Sequence, residues 1–234
     1  MSDAVSYEDR GDVAVVRLDD GKANALSPAV LAAINSALDQ AQEAKQAVLL
    51  TGRPGRFSAG FDLGVMREGG PDAAVAMVCA GAELAIRIAR FPAPTIIACT
   101  GHALAMGAVL LTAADTRIGS EGDFKIGFNE VAINMTTPIF LLELARERIS
   151  KRHFFRAVVQ AEIYEPASAV DAGFFDAVAP AEQVFDQALA KAFALAKLPR
   201  GPYVRTRALA RSATLELIES NLKENVAGGF GGQG

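Results

Sequence analysis

The chain of 234 residues has a mass of 24.5 kDa, which is long enough for one sizeable domain with its own core. Hydrophobic residues make up 51% of it and charged residues 21%, which excludes a wholly disordered or tail-like protein. The formal net charge of −4, from 23 basic and 27 acidic residues, provides no global positive field that would attract nucleic acid or an anionic membrane.

The cysteines and the first residues of the chain favour a reducing, cytoplasmic compartment. Cys79 and Cys99 lie in apolar runs without CxxC spacing, which is typical of buried thiols in a reducing environment. The first ten residues, MSDAVSYEDR, carry acids where a signal peptide needs a basic and then an apolar stretch. Residues such as Pro92 and Asp115 interrupt the longest apolar candidate before it reaches the roughly 18 residues of a membrane span. We therefore expect a cytoplasmic protein that makes no contact with membranes or nucleic acid.

The first quarter of the chain predicts a hairpin, a helix and a buried strand. Two short strands within residues 5–19 flank the turn signal Arg10-Gly11-Asp12. Ser27 and Pro28 then supply an N-cap and a proline at the first helical position, and apolar residues at helical spacing continue to about residue 44. Residues 47–51 form a continuous apolar run, and the glycine-rich connection GRPGRFSAGFDL follows it.

The remaining chain alternates strands and helices. The predicted strands cover residues 95–100, 116–120 and 124–127, and a last short strand contains Val178. The predicted helices cover residues 71–90, 102–114, 139–148, 153–161, 166–172, 182–197 and 204–224. The last of them carries Arg207, Arg211, Glu216 and Glu219 on its polar side. Such recurring strand-then-helix units with buried strands predict an α/β layered fold.

The first stretch that could carry chemistry is Phe57-Ser58-Ala59-Gly60-Phe61-Asp62-Leu63, between a buried strand and a helix start. Glycine at such a turn lets backbone N–H groups approach a ligand closely. A plain tight turn in which Asp62 caps the next helix is the alternative, and from this segment alone we favour it.

The second stretch, GHALAMGA at residues 101–108, follows the strand TIIACT and opens a helix with few bulky residues. A helix start of this kind can offer two or more unpaired N–H donors to an anion or a polarised carbonyl. Close packing of the helix against the sheet explains the small residues equally well. His102 has no metal-ligating partner at helical spacing, so we expect a structural histidine and no metal site.

The third stretch, GFNEVAIN at residues 127–134, places one carboxylate, that of Glu130, among apolar neighbours. Burial would raise its pKa and make it a proton acceptor and donor near neutral pH. A solvated loop glutamate is the more common alternative. The chain contains no GxSxG, GxxxxGK[ST] or HExxH motif, and its glycine-rich end at residues 228–234 follows a helix, so we interpret that end as a frayed tail.

In this order and spacing, the three stretches resemble the enoyl-CoA hydratase/isomerase (crotonase) superfamily. The resemblance also includes Asn24-Ala25-Leu26, Ala114-Asp115 and the run Asp171-Ala172-Gly173-Phe174, and it covers nearly the whole chain. It implies a crotonase-like spiral of ββα units over residues 1–180 and a helical C-terminal trimerisation region over residues 181–234. It further implies a homotrimer or a hexamer built from two trimers.

The resemblance also implies an acyl-CoA substrate, with coenzyme A entering as part of the thioester and no other cofactor required. The family holds the thioester oxygen between two backbone N–H groups, which correspond here to those of Phe61 and Met106. The implied binding residues around them are Ala25, Leu26, Ala59, Gly60, Asp62 and Gly107.

One position separates two activities of the family. Hydratases usually hold the attacking water with two glutamates, of which the later corresponds to Glu130 and the earlier to Val109, which cannot transfer a proton. A hydratase glycine that offers an N–H to this water corresponds approximately to Pro138, which has none. The pattern is more similar to Δ3,Δ2-enoyl-CoA isomerases, which use one glutamate in an Asn-Glu pair. Asn134 departs from the glycine that is frequent there, but asparagine tolerates the left-handed backbone region.

The leading prediction is therefore an enzyme of fatty acid metabolism that shifts the double bond of an enoyl-CoA, with Glu130 as the single proton shuttle. An enoyl-CoA hydratase is the alternative, if Asp62, Glu121 or Glu143 supplies the missing acid. A third possibility, motivated by Val109, is an acyl-CoA-binding protein without catalysis.

Overall fold

The computed structural model describes the backbone of residues 4–231 and the side chains of residues 4–65 and 67–222. The strands are β1 (Val5–Asp9), β2 (Val13–Leu18), β3 (Ala25–Leu26), β4 (Ala47–Thr51), β5 (Gly55–Ser58), β6 (Gly60–Phe61), β7 (Thr95–Cys99), β8 (Gly101–Leu104), β9 (Thr116–Ser120), β10 (Ile126–Gly127) and β11 (Ala177–Ala179). The helices are α1 (Pro28–Glu43), α2 (Leu63–Arg90), α3 (Met106–Ala113), α4 (Ile139–Arg148), α5 (Lys151–Val158), α6 (Pro166–Ala172), α7 (Val184–Ala196) and α8 (Arg200–Gly231).

The main sheet has six strands in the order β1-β2-β4-β7-β9-β11. Only the predicted hairpin pair β1–β2 is antiparallel, and every other neighbouring pair is parallel. Parallel strands need helical crossovers, so helices cover both faces and the strands become continuous apolar runs. The α/β fold class predicted from the sequence is confirmed.

Each face of the main sheet belongs to its own core cluster. On one face, alternate strand residues such as Val13, Leu49 and Ile96 pack against α7. On the other face, their neighbours in sequence, such as Leu50 and Ile97, join the larger core with α1, α2 and α3. The period of two along a strand thus divides one apolar run between two cores. Because α7 packs on one face of the main sheet, the C-terminal helical part of the chain covers one of the two cores.

Two small parallel sheets were not predicted. They have the orders β10-β8-β5 and β3-β6. The sequence predicts a glycine-rich connection at residues 55–61 and one helix over residues 102–114, whereas the chain forms β5 and β6 in the first and β8 followed by α3 in the second. These assignments were wrong because strands of two to four small residues carry no periodicity of their own and depend on distant partners.

The second helix begins earlier than predicted. It runs over Leu63–Arg90 and is interrupted at Gly70, whose φ of 72° and ψ of −171° are not helical, directly before Pro71. The predicted start at Pro71 is therefore the start of its second half. Asp62 caps the first half, since its Oδ1 accepts hydrogen bonds from the N–H groups of Gly64 at 2.9 Å and Val65 at 3.3 Å. The capping interpretation of Asp62 is confirmed.

The predictions for the last helix and for the cysteines need correction. Helix α8 is longer than residues 204–224, and Arg207 and Arg211 of its predicted polar side form largely buried ion pairs with Asp115 and Glu147. Cys99 is buried as expected, whereas Cys79 is only partly so. Of the predicted frayed tail, residues 228–231 belong to α8 and the remainder lies outside the described residues. No helix in the described part of the chain has the length and apolar character to span a membrane.

Candidate active site

The three stretches singled out in the sequence meet at one edge of the small three-stranded sheet. Strands β5, β8 and β10 are parallel, so their carboxyl ends, Ser58, Leu104 and Gly127, lie at the same edge. The N–H of Ala105 donates a hydrogen bond to the carbonyl of Gly127 at 3.1 Å, which ties the second stretch to the third. This edge therefore brings the start of α3 next to the segment that leads to Glu130.

Helix α3 begins at this edge with an uncapped end. Its N-cap residue Ala105 has φ 48° and ψ −126°, a strained conformation for a residue with a Cβ, and no described side chain caps the helix there. The first N–H groups of a helix have no acceptor within the helix. The N–H of Met106, the first residue of α3, is one of these donors, and the positive end of the helix dipole lies beside it.

The first stretch packs directly against this helix start. A Cβ added at Gly60 would lie 2.8 Å from the Cβ of Ala105 and 3.2 Å from the nitrogen of Met106. One added at Gly107 would lie 2.5 Å from the carbonyl oxygen of Ser58. Only glycine permits backbones to approach so closely. The predicted donor residues thus lie on adjacent segments: Met106 is itself part of the contact with Gly60, and Phe61 is the residue after Gly60.

The side chains of the two predicted donors also converge. A Cβ at Gly81 of α2 would lie 2.4 Å from Cζ of Phe61 and 3.4 Å from Sδ of Met106. Gly81 therefore leaves room for both side chains over α2. The N–H groups stay fixed by the backbone while these side chains vary, which is why methionine is compatible with a donor position.

Asn24 organises the first stretch, and the sequence analysis assigned it no role. Its side-chain amide nitrogen donates to the carbonyls of Leu18 at 2.9 Å and Phe57 at 3.1 Å, and its main-chain carbonyl accepts from Oγ of Ser58 at 2.8 Å. Asn24 is buried and has φ 53°, in the left-handed region. No local pattern reveals this role, because Phe57 and Ser58 are more than 30 residues away in sequence.

The other residues implied by the resemblance take different positions around this segment. Ala25 and Leu26 form β3, which pairs with Gly60 and Phe61 of β6. The side chain of Leu26 is fully buried in the core, so a ligand could reach this residue only through its main chain. Ala59 is exposed, and Asp62 is occupied as the α2 cap.

Glu130 follows β10 and precedes a short 3₁₀ helix, Val131–Ile133. It is 8% exposed, and its Oε2, like Oδ1 of the neighbouring Asn129, is buried without a hydrogen-bond partner among the described atoms. Burial raises the pKa of Glu130 to about 7, against the opposing effect of the N–H groups of Glu130 and Asn129. Asn134 ends this turn with φ 61°, the left-handed conformation that its residue type tolerates. The expectation of a buried carboxylate is confirmed.

The distance from Glu130 to the helix start is limited by the chain. Glu130 is three residues beyond Gly127, so its backbone lies within about 10 Å of the carbonyl that binds Ala105. A buried carboxylate of raised pKa and an uncapped helix start thus share one small region. Such a pair suits proton transfer next to a carbonyl whose oxygen is held by main-chain donors.

Val109 is buried in α3, and the acids proposed for a second catalytic position lie on other segments of the chain. Asp62 caps α2, and Glu143 pairs with Arg146, with Nε and Oε2 at 3.2 Å. Glu121 follows β9 of the main sheet, and its N–H binds the carbonyl of Ala179.

The histidines of the described region have structural contacts. Nδ1 of His102 accepts the N–H of Lys125 at 2.9 Å, and its ring packs edge-on against Phe124. This confirms the structural histidine expected at His102. His153 contacts Tyr164 and Asp171 at 3.2 and 3.1 Å. Within the described residues, no group of three or more histidine, cysteine or acidic side chains is arranged to hold a metal ion.

Comparisons with known proteins find relatives in sequence and in fold. The family model described as enoyl-CoA hydratase/isomerase matches residues 8–225. The chain is 29% identical over 206 residues to human mitochondrial enoyl-CoA delta isomerase 1, covering 86% of this chain and 68% of the relative. It is 31% identical to a putative enoyl-CoA hydratase of Thermus thermophilus, covering 81% and 76%. A crystal structure of an enoyl-CoA hydratase/isomerase family protein from Pseudomonas syringae superposes with a TM-score of 0.93 at 43% identity, covering 96% and 97%.

Proposed function

The chain belongs to the enoyl-CoA hydratase/isomerase family, and from this premise we propose that it is an enoyl-CoA isomerase that moves a double bond from the β,γ to the α,β position. The single observation that carries this proposal is Glu130, a buried carboxylate with an unpaired Oε2 and a pKa near neutrality, at the edge where α3 begins. The substrate is an acyl-CoA thioester, and coenzyme A arrives as part of it.

The proposed reaction is a 1,3-proton shift through a dienolate. The N–H groups of Phe61 and Met106 donate to the thioester oxygen, which increases the acidity of the C2 protons. The carboxylate of Glu130 removes one proton from C2, the electron pair moves into the thioester, and the β,γ double bond becomes part of the dienolate. The protonated Glu130 then returns the same proton to C4, and the electrons move back to form the α,β double bond. One carboxylate is sufficient because every proton removed is returned.

The environment of Glu130 supports both halves of this cycle. A carboxylate of ordinary pKa would be a weak base toward a carbon acid, whereas a pKa of about 7 allows both removal and return of the proton near neutral pH. Oε2 has no protein partner among the described atoms, so a substrate proton does not compete with an existing hydrogen bond.

Val109 favours isomerisation over hydration. Adding water across the double bond requires a base for the water and an acid for C2, and the resemblance places the second glutamate of hydratases at Val109. This residue is buried and apolar, Asp62 caps α2, Glu143 pairs with Arg146, and Glu121 is exposed. The same residue would suit a binding protein without catalysis, but the buried Glu130 is then unexplained.

Substrate preference tests the proposal. We expect the purified protein to convert a 3-enoyl-CoA to the conjugated 2-enoyl-CoA, followed by the rise in absorbance of the conjugated thioester, at least ten times faster than it hydrates a 2-enoyl-CoA. Hydration as the faster reaction would establish the hydratase alternative. Tight binding of an acyl-CoA without incorporation of solvent deuterium at C2 would establish the binding protein.

The pH dependence provides a second test. Only the ionised form of Glu130 can accept the C2 proton, and its pKa is about 7. We therefore expect kcat/KM for isomerisation to increase with pH as one ionisation with a midpoint near 7 and to level off above about pH 8. A constant kcat/KM between pH 5 and 8 would show that a carboxylate of ordinary pKa, or a different group, is the base.

A further inference from the structure

The C-terminal end of α3, opposite the candidate active site, is bound by two arginines from distant parts of the chain. Nη1 of Arg211 donates to the carbonyl of Ala113 at 2.6 Å, and its Nη2 donates to that of Thr112 at 3.2 Å. Nη2 of Arg148 donates to the carbonyl of Ala114 at 3.0 Å. The last carbonyls of a helix have no partner inside it, so these guanidinium groups satisfy three acceptors at once.

The two arginines differ in charge compensation. Arg211, on α8, is 3% exposed and forms an ion pair with Glu147, with Nη2 and Oε2 at 2.6 Å. Arg148 ends α4 and has no ion pair among the described side chains, and its buried Nε has no partner there. The end of α3 therefore carries Arg148 without an ion pair, beside the Arg211–Glu147 pair and the Arg207–Asp115 pair at the next residue of the chain.

Helix α3 connects the carbonyls bound by these arginines to the N–H of Met106, so a shift at its C-terminal end moves its N-terminal end. It has eight residues, all of them buried, and at 1.5 Å per residue it is about 12 Å long. Its start packs against Ser58 and Gly60, and neither Gly60 nor Gly107 has space there for a Cβ. A rigid element held at one end by ionic hydrogen bonds fixes the other end, and cations at a helix C-terminus act in the favourable direction of its dipole.

We propose that Arg148 and Arg211 are positioning residues for the reaction, which hold α3 so that the N–H of Met106 meets the thioester oxygen. This inference rests on the proposed function, since it assigns a catalytic donor to Met106. It couples α8, near the C-terminus of the chain, to the oxyanion site through α3. Neither arginine touches the substrate, so both act on kcat through the placement and polarisation of a backbone donor.

Three variants test this role. Arg148→Met removes the cation that has no ion pair, without leaving a lone carboxylate. The double variant Arg211→Met/Glu147→Gln removes the ion pair as a unit, and Arg211→Lys keeps the charge but not the two-carbonyl geometry. For Arg148→Met and the double variant we expect kcat of isomerisation to fall about tenfold while KM changes less than about twofold, with partial recovery in Arg211→Lys.

A spectroscopic signature separates positioning from a structural role. A cinnamoyl thioester of CoA bound to the wild-type protein is expected to absorb at longer wavelength than in water, because the oxyanion donors polarise its carbonyl. The shift should be smaller in Arg148→Met and in the double variant. Arg90→Met serves as the control: it breaks an exposed ion pair between α2 and Glu219 of α8, with a distance of 2.8 Å, and should change neither kcat nor the shift.

Two outcomes would overturn the inference or its premise, and they are distinguishable. A lower melting temperature with kcat and absorbance shift unchanged would mean that the arginines only stabilise the fold. If the wild-type protein bound the thioester without any shift, the oxyanion site itself, and with it the proposed function, would be wrong.

Discussion

Replacing Glu130 with glutamine is expected to abolish isomerisation and to stabilise the fold above neutral pH. Glutamine has nearly the same shape but cannot accept the C2 proton. Since general base catalysis contributes about 10²- to 10⁴-fold and no described carboxylate substitutes for Glu130, kcat should fall by about 10³-fold or more. The steady-state rate with a 3-enoyl-CoA measures this directly.

The gain in stability follows from the cost of burying a charge. The pKa of Glu130 is about 7 in the folded protein, against an ordinary value of 4.5. Between these two values the folded state binds more protons than the unfolded state, so the free energy of unfolding of the wild type decreases as pH rises through this window. At about 1.4 kcal/mol per pKa unit, the loss is about 3 kcal/mol above pH 7.

Glu130→Gln lacks this pH-dependent loss. Urea unfolding at pH 8 should therefore show the variant to be more stable than the wild type by about 2 to 3 kcal/mol, and the difference should shrink toward zero near pH 4.5. Glu143→Gln is the matched control, since Glu143 already pairs with Arg146. It should retain turnover and gain no stability at pH 8. Near-normal turnover in Glu130→Gln together with a loss in Glu143→Gln would show that Glu143, and not Glu130, is the base.

The parts of the fold that could be predicted are those with strong local signals. β4 and β9 match the predicted residues 47–51 and 116–120, and helix α6 matches residues 166–172 because Pro166 starts it and Gly173 ends it. The small sheets could not be found in this way. Their strands are short and poor in β-branched residues, and pairs such as Gly60 with Ala25 form only after distant segments meet.

The same distinction holds for the site. The apolar neighbours of Glu130 in sequence indicate burial as one possibility beside a solvated loop glutamate, and the structure shows it buried. The roles of Asn24 and Arg211 could not be predicted, because their partners are about 33 and 98 residues away. The charged positions of α8 predict a polar side, but not that the helix packs against α2 and α4 and presents Arg211 to the carbonyls at the end of α3. Helical periodicity separates polar from apolar faces but does not tell whether a polar face meets water or another polar group.

Replacing Gly60 with alanine is expected to damage the oxyanion site through the backbone alone. Gly60 has φ 91°, and an added Cβ would lie 2.8 Å from the Cβ of Ala105 and 3.2 Å from the nitrogen of Met106. The strand that carries Phe61 and the start of α3 would have to separate. A displacement of about 1 Å at such a site costs about 10²-fold in rate, so kcat should fall by about that factor or more. Strain and overpacking together should lower the free energy of unfolding by about 2 to 4 kcal/mol.

Two further variants separate the geometric effect from backbone strain. Gly55→Ala places a Cβ at a similar φ of 80° on β5, but nothing lies within 4 Å of it. It should cost about 1 kcal/mol of stability with kcat unchanged. Adding Ala105→Gly to Gly60→Ala removes the clashing methyl group and relaxes the φ of 48° at position 105, so turnover should partly return. If Gly60→Ala retained the wild-type kcat well below its melting temperature, these two backbone segments would not form the oxyanion site. Once the segments separate, the N–H groups of Phe61 and Met106 can no longer both reach one oxygen.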